Sequence, residues 1–265
     1  MTPTHLSDRE LAPYWSTVEI LTRRAFVRLV RVPSVLIPML VMPAFFAVSF
    51  TGTFEGVTRV EAFPTGEFMN WVAAFAMVQG SIFAGIGSAG AMAQDLDNGF
   101  IDRLLVSPIR RSAIIVGPLV QTAIRAVIPV TVVLLIGIVG GLDFPGGVSA
   151  VLIAYVAGIG ASLVLGALGL AVVLRIGNIR AMALVQVLAF GLMFPSIGQV
   201  PLSMMTGWLH DVARVNPATN VIRMARQGFI GDVNWANTWP GLLVITLGIF
   251  WFGGWARWEL EQRAP

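Results

Sequence analysis

The stretch from Val148 to Leu174 reads VSAVLIAYVAGIGASLVLGALGLAVVL and contains no charged residue. An α-helix needs about 20 mostly apolar residues to cross a bilayer, so this stretch predicts a membrane-spanning helix. Other apolar stretches resemble it, although the first and last are short: Ser34–Phe50, Met69–Ala93, Ile115–Leu142, Ala181–Val200 and Pro240–Ala256. The chain is therefore expected to be an all-α integral membrane protein with six transmembrane helices.

The composition agrees with a membrane protein. Hydrophobic residues make up 56% of the chain and charged residues only 12%, whereas a soluble domain has about 25% charged residues. The net charge is only +3 and the basic residues are dispersed, which argues against a nucleic-acid partner. All 17 basic residues are arginine. This composition is typical of GC-rich bacterial genomes, and the bacterial inner membrane is the expected location.

Arginine placement predicts the orientation of the bundle. With a cytoplasmic N-terminus, twelve arginines fall in inner segments, four fall in outer segments, and Arg125 lies within a span. Because short basic loops stay on the cytoplasmic side, both termini are expected in the cytoplasm.

Residues 13–33, before the first span, have the pattern of an amphipathic helix. Apolar side chains share one face at helical spacing, and Arg24, Arg28 and Arg31 lie opposite. Such a helix would lie along the inner membrane surface; the alternative is a positive flank that only orients the first span. The expected division is a cytoplasmic tail with an interfacial helix, residues 1–33, and a transmembrane domain, residues 34–265.

Small residues recur at four-residue spacing in two spans: Gly80, Ala84 and Ser88, and then Gly158, Ser162 and Gly166. Such ridges let helices approach closely in lipid. They are expected to serve packing within one chain, and a dimer seam is the alternative.

Lysine and cysteine are absent from the sequence. A P-loop needs a lysine on the phosphates and a Schiff-base enzyme needs one as well, so neither chemistry is available. Without cysteine there is no thiolate nucleophile and no cysteine metal site. His5 and His210 lie far apart without a neighbouring ligand pattern. The chain is thus expected to hold no metal and to hydrolyse no ATP itself.

The main polar interruption between two spans is the loop of residues 94–112, in which residues 95–111 read DLDNGFIDRLLVSPIRR. It combines an apolar patch at helical spacing with flanking charges: Ile101, Leu104, Leu105, Asp102 and Arg103. Ser107-Pro108 then ends the short helix. The residues alone leave two interpretations open: a handle on which a soluble partner docks, and a solvated loop that only connects spans.

This loop resembles the cytoplasmic signature of type-2 ABC exporter permeases of the daunorubicin-resistance-like branch. The matching residues are Gly99, Asp102, Leu104, Ser107 and Pro108, whereas Phe100 replaces the usual threonine. A second similarity is Asn216-Pro217-Ala218-Thr219, followed by Arg226, between the last two spans; Arg223 stands where an acidic residue is common. With the interfacial helix and the six-helix layout, the resemblance covers nearly the whole chain.

The resemblance implies a transport subunit whose coupling helix docks on a separate P-loop ATP-binding subunit, which would bind ATP and magnesium. The implied coupling residues are Gly99, Ile101, Asp102, Arg103, Leu104, Leu105, Ser107, Pro108, Arg110 and Arg111. The interfacial helix would add a second contact through Arg24, Arg28 and Arg31. A second permease copy, identical or homologous, would complete the path through the lipid.

By the same resemblance, residues 201–239 form an outer re-entrant segment with a turn at Asn216-Pro217, and Thr219 and Arg226 belong to it. A flat surface helix is the alternative. The substrate path is sought among polar and aromatic residues within the spans: Gln79, Phe83, Arg125, Gln186, Phe190 and Phe194. A charge inside a span is a functional candidate by default, although the head of Arg125 can snorkel to the cytoplasmic interface, and this interpretation is favoured. For the aromatic residues, core packing or contact with lipid is the alternative.

The leading hypothesis is the permease subunit of an ATP-driven exporter for hydrophobic or amphipathic small molecules such as antibiotics. The alternatives are ABC export of a lipid or lipid-linked glycan, an ion-coupled secondary transporter, and a membrane-embedded lipid enzyme. A glycan path is expected to carry carboxylates and ion coupling needs buried acids, but the spans contain almost none. Both histidines lie outside the spans, which argues against the enzyme.

Overall fold

The computed structural model describes residues 12–31 and 33–263. The predicted tail, residues 1–11, lies outside the described residues. Within the described chain no strand occurs and ten α-helices follow one another. They are α1 Tyr14–Arg31, α2 Pro33–Phe54, α3 Phe68–Asp97, α4 Phe100–Leu105, α5 Ser112–Val139, α6 Gly147–Ile176, α7 Ala181–Met193, α8 Trp208–Val215, α9 Pro217–Ile230 and α10 Trp235–Gln262. The expected all-α architecture is confirmed.

Helices α2, α3, α5, α6 and α10 are long and apolar enough to cross a membrane, which makes five in the described chain. The fifth predicted span, residues 181–200, is helical only over α7, which has 13 residues. At 1.5 Å per residue α7 reaches about 20 Å, less than the roughly 30 Å of a hydrocarbon core. The helix stops shortly before Pro195, because a proline cannot continue the hydrogen-bond ladder.

The segment between α7 and α10 contains the two short helices α8 and α9, with Asn216 and Pro217 at their junction. The turn predicted at these two residues is therefore present. α10 starts at Trp235, five residues before the predicted span, because Asn234 caps it by accepting a hydrogen bond from the Asn237 N–H at 2.9 Å.

The centre of the bundle is the contact between α3 and α6. A Cβ atom on Gly85 would lie 2.5 Å from the Ser162 carbonyl oxygen and 2.8 Å from the Gly166 nitrogen. A Cβ on Gly169 would lie 2.5 Å from the Ala89 Cβ. The two backbones therefore touch within one chain. Of the predicted small residues, Ser162 and Gly166 take part in this contact, whereas their partner on α3 is Gly85, which lies outside the predicted ridge.

Replacing Gly85 with alanine is expected to lower thermal stability in detergent, because the methyl group meets backbone atoms that cannot move aside. Overpacking of this kind costs about 1–3 kcal/mol. The matched control is Gly191→Ala in α7, where nothing lies within 4 Å of the new methyl group. Equal melting temperatures for Gly85→Ala and the unmodified protein would contradict the close contact.

Candidate functional sites

The loop between α3 and α5 reverses direction at a glycine. Gly99 has φ 64° and ψ 19°, a left-handed conformation that side chains disfavour. Its N–H donates to the Leu96 carbonyl at 2.9 Å, and α4 begins at the next residue. After this turn the short helix α4 packs against α3.

The apolar residues of α4 face inward. Ile101 and Leu105 are buried in the chain's own core and Leu104 is half-buried. The prediction that these three side chains form a knob for a partner needs correction, because spacing fixed their common face but not what covers it. The apolar residue that this region exposes is Val106, at 74%. Around it the exposed residues are Asp102, Arg103, Pro108, Arg110 and Arg111. This group, with Val106, is called the α4 surface below.

Ser107 and Pro108 end α4 and join it to the start of α1. The Ser107 hydroxyl donates to the Arg103 carbonyl at 2.8 Å, and its N–H donates to the Leu104 carbonyl at 3.1 Å. The Ala12 N–H donates to the Pro108 carbonyl at 2.9 Å. The chain leading into α1 is thus tied directly to the turn after α4.

Asp95, in the last turn of α3, is the residue that binds α1 to the end of α3. Its two carboxylate oxygens accept hydrogen bonds from Arg24 at 2.6 and 2.7 Å, and Arg28 donates to it at 3.2 Å. The Arg24 guanidinium also lies 3.8 Å from the centre of the Phe100 ring at the start of α4. One carboxylate therefore joins α1, α3 and α4, an arrangement called the Asp95 junction below.

The hydrogen bonds to Asp95 raise the pKa of the Arg24 guanidinium above its ordinary value, and this outweighs the opposing effect of partial burial.

The α1 helix itself is confirmed, but Arg24 and Arg28 turn towards the protein, while Arg31 stays exposed. Sequence analysis assigned no role to Asp95. The sequence signal that could have identified Asp95 is a carboxylate at the end of an apolar span, in a chain that also has a basic amphipathic helix before the first span.

Some of the predicted path residues come together and others do not. The Phe83 and Phe190 rings are 5.9 Å apart, and Phe190 and Phe194 are 5.6 Å apart. Gln186 is exposed one turn before Phe190. Gln79, by contrast, is buried with only 1% exposure, so it lines no open surface.

The expected snorkelling of Arg125 needs correction. Arg125 is only 3% exposed, and its guanidinium lies where a Cβ on Gly87 would approach it to 2.5 Å. Its Nε lies 3.2 Å from the Met39 sulfur. The charged head therefore stays inside the bundle, in space that only a glycine at position 87 leaves open.

At the opposite end of the bundle, Asn216 connects three helices. Its carbonyl oxygen accepts from the Ala218 N–H at 2.9 Å and caps α9. Its amide donates to the carbonyls of Leu192 and Pro195, at the end of α7, at 2.7 and 2.8 Å. The Thr219 hydroxyl donates to a carbonyl in α8 at 2.7 Å. The Asn-Pro-x-Thr motif is thus a structural joint.

Arg226 in α9 is a fully buried cation held by backbone carbonyls. It donates to Trp71 at 2.7 Å, to Ile197 at 2.8 Å and to Gly198 at 2.8 Å. Its guanidinium also lies 3.6 Å from the centre of the Trp71 ring. This clamp fastens α9 to the start of α3 and to the chain that follows α7.

Among the described residues, no group of His, Cys, Asp or Glu side chains could hold a metal ion.

Residues 17–230 match the family described as ABC-2 type transporter. The match covers well over half of the chain and includes most of α1, the loop with α4, and α9. The chain belongs to the ABC-2 type transporter family and is a multi-pass membrane permease.

Individual relatives with modest sequence identity to this chain are also ABC transporter permeases by name. The chain is 25% identical to the daunorubicin resistance ABC transporter permease protein DrrB1 of Streptomyces coeruleorubidus, over 77% of this chain and 71% of the relative. It is 26% identical to the Mycobacterium tuberculosis protein named "Probable doxorubicin resistance ABC transporter permease protein DrrC", over 94% and 90%. It is 32% identical to the Escherichia coli protein named "Probable multidrug ABC transporter permease YbhR", over 59% and 43%.

Asp95→Asn is expected to loosen α1, because a neutral amide cannot satisfy two guanidinium groups. The cost should be about 1–2 kcal/mol, since the arginines are partly screened by solvent. Hydrogen exchange of residues 14–31 should become faster. Asp97→Asn, an exposed position with the same charge change, is the control, and equal exchange in both variants would argue against the Asp95 junction.

Arg226→Lys is expected to destabilise the segment around α9 by about 2–4 kcal/mol, because an ammonium group cannot reproduce the guanidinium's planar set of donors. Hydrogen exchange of residues 216–231 and the melting temperature in detergent measure the effect. Arg223→Lys, at an exposed position on the same helix, should leave both unchanged. A stable Arg226→Lys protein would show that the carbonyl contacts are dispensable.

Proposed function

We propose that this chain is the transmembrane subunit of an ATP-driven exporter of hydrophobic or amphipathic small molecules, drugs among them. The family match carries the proposal, together with relatives that are named as ABC transporter permeases for daunorubicin resistance, for doxorubicin resistance and for multiple drugs. ATP and magnesium would bind in a separate P-loop subunit, since this sequence lacks the lysine that a P-loop requires. An ion-coupled transporter is disfavoured by membership of an ABC family.

The α4 surface is the proposed docking site for the ATP-binding subunit. Val106 offers an apolar contact surrounded by Asp102 and by arginines, a combination that suits a groove on a soluble partner. The Asp95 junction supports this assignment, because it makes α1, α3 and α4 a single unit. A displacement of α4 by the partner would therefore be passed directly to α3, which runs through the whole bundle.

The proposed topology has six crossings, with α7 as a short fifth span and both termini in the cytoplasm. The chain order supports it, since α7 leads from the end of α6 to the α8–α9 segment that Arg226 fastens beside Trp71, at the start of α3. The arginine distribution supports the same orientation. Residues 201–239 would then form the outer re-entrant segment.

The substrate path is proposed along the half-exposed face of α3 and the facing side of α7. Phe83 and Phe190 form its aromatic part, and Gln186 and Phe194 continue the α7 side at four-residue spacing. A path open on one side within a single chain needs a second permease copy to close it. Aromatic walls with few polar groups suit an apolar or amphipathic solute.

Co-purification from the native host tests the proposed docking site. We expect a P-loop ATPase to accompany the unmodified protein and to be lost from Val106→Asp. Binding of the ATPase to this variant would bury a charged carboxylate in an apolar contact and strip it of its hydration, which is unfavourable. The control is Val215→Asp in α8, which makes the same change at a similarly exposed valine (79%, against 74% at Val106) near the other end of the bundle. An ATPase retained by both variants would move the docking site elsewhere. Its absence from the unmodified protein after mild cross-linking would contradict the exporter itself.

Because the sequence has no cysteine, single-cysteine variants report the topology without background labelling. A membrane-impermeant maleimide should label Val215→Cys in intact cells and Val106→Cys only after permeabilisation. Labelling of both positions in intact cells would contradict the proposed orientation.

A further inference from the structure

Two adjoining cavities lie among α1, α3, α4 and α5. The larger has a volume of about 220 Å³ and is lined by residues of α1, α3 and α5. The smaller has a volume of about 30 Å³ and also reaches α4. Four residues line both cavities, which places the two side by side: Ala25, Arg28, Ala91 and Gln121. Neither cavity includes a residue of the α4 surface or of the proposed substrate path.

The walls of the larger cavity are formed mostly by small or apolar residues. Ala25 and Leu29 line it from α1, and Gly87, Gly90 and Ala91 line it from α3. An apolar cavity of about 150 Å³ is large enough to hold benzene. The larger cavity therefore has room for one substituted ring, but not for a polycyclic drug.

Three of the polar residues that line the larger cavity are held by contacts within the protein. Arg28 donates to Asp95 at 3.2 Å and to the side-chain oxygen of Gln94. The Arg125 Nε lies 3.2 Å from the Met39 sulfur. Because these groups are engaged by the protein itself, they give the cavity no reason to attract an anion.

Gln121 of α5 differs from these residues. It is only 3% exposed, yet its side-chain amide makes no hydrogen bond with any described residue. The amide of Gln79 also lacks a partner among the described residues, but its polar atoms are sealed inside the protein, whereas those of Gln121 are not. Since Gln121 lines both cavities, its amide faces their space. A buried amide without a partner destabilises a protein, and a ligand that pairs with it removes this penalty.

We propose that the two cavities form a binding site for a small uncharged molecule, about the size of one substituted ring, that carries a carboxamide. A carboxamide can donate to the Gln121 side-chain oxygen and accept from its NH₂ group. The ring would lie between the small side chains of Ala25 and Ala91, beside the bare backbone of Gly87 and Gly90.

The position of the site gives its ligand a regulatory role, and this role rests on the proposed function. Arg24 and Asp95 of the Asp95 junction line the smaller cavity, together with Phe100 of α4. A ligand stabilises the conformation that it binds. A molecule held among α1, α3 and α5 would therefore keep the Asp95 junction intact and oppose the displacement of α4 by an ATP-binding subunit.

Fluorine NMR of 4-fluorobenzamide with the detergent-solubilised protein tests the binding. We expect a dissociation constant about tenfold higher in Gln121→Leu, because the pairing with the amide is lost while the size of the side chain is nearly kept. Ala91→Leu should abolish binding, because it adds three carbon atoms to the wall that the two cavities share. Gln262→Leu makes the same change as Gln121→Leu at an exposed position in α10 and should bind like the unmodified protein.

Melting temperatures test the state of Gln121 without any ligand. Gln121→Leu should melt at the temperature of the unmodified protein or higher, because an apolar side chain replaces an amide that has no partner. A clearly lower melting temperature would show that the protein itself satisfies the amide, and would overturn the site. If Ala91→Leu fails to fold, Ala25→Leu makes the same change on the α1 wall and decides in its place.

Two further probes test the chemistry of the ligand. Fluorobenzene that binds as tightly as 4-fluorobenzamide would overturn the pairing with Gln121. Tighter binding of 4-fluorobenzoate would overturn the preference for an uncharged molecule. Binding of 4-fluorobenzamide that is equal in the unmodified protein and in Ala91→Leu would place its site outside these cavities.

The ATPase activity of the co-purified complex separates regulation from binding. We expect 4-fluorobenzamide to lower the activity of the unmodified complex and to leave that of the Ala91→Leu complex unchanged. Unchanged activity in the unmodified complex, at a concentration that fills the site, would overturn the regulatory role. Because fluorine NMR needs no ATPase, failure of the exporter proposal leaves the binding result intact.

Discussion

Glycine allows the backbones of α3 and α6 to touch, and this contact holds α3 in the middle of the bundle. A lipid environment offers no hydrophobic force between helices, so dispersion at close range must hold them together. The contact at Gly85, Ser162 and Gly166 supplies it. With α3 enclosed in this way, both of its ends can carry polar anchors that would be hard to place on a lipid-facing helix.

The two anchors differ in chemistry. At one end Asp95 pairs with two arginines of α1, close to the α4 turn. At the other end the Trp71 carbonyl and ring receive the buried Arg226 of α9. About 36 Å of helix separates them at 1.5 Å per residue. In the proposed exporter, α3 is therefore the stiff element that connects the ATPase-facing surface with the outer segment.

Much of the fold followed from patterns that are local in sequence. Apolar length located the long helices, and the spacing of apolar and basic residues located α1. The break at Asn216-Pro217 before α9 was instead implied by the family resemblance. The length of α7 did not follow, because apolar residues continue past Met193 after the helix has ended. Helical periodicity placed Ile101 and Leu105 on one face, but only the packing of α4 on the bundle shows that this face is covered.

The polar contacts were the least predictable part of the sites. Arg226 reaches the Trp71 carbonyl across 155 residues of sequence, and Arg24 reaches Asp95 across 71. No periodicity encodes such pairings, since they depend on how helices far apart in the chain are arranged. The same holds for Arg125, whose buried position depends on the missing side chain at Gly87.

The most direct test of the account is photo-cross-linking in living cells, with p-benzoylphenylalanine in place of Val106 and, in a separate strain, in place of Val215. Mass spectrometry of the adducts identifies what each position touches. The account predicts a P-loop ATP-binding subunit at position 106 and none at position 215. An ATP-binding subunit captured at 215, or none at 106 while the complex co-purifies, would contradict the proposal that the α4 surface receives the ATPase.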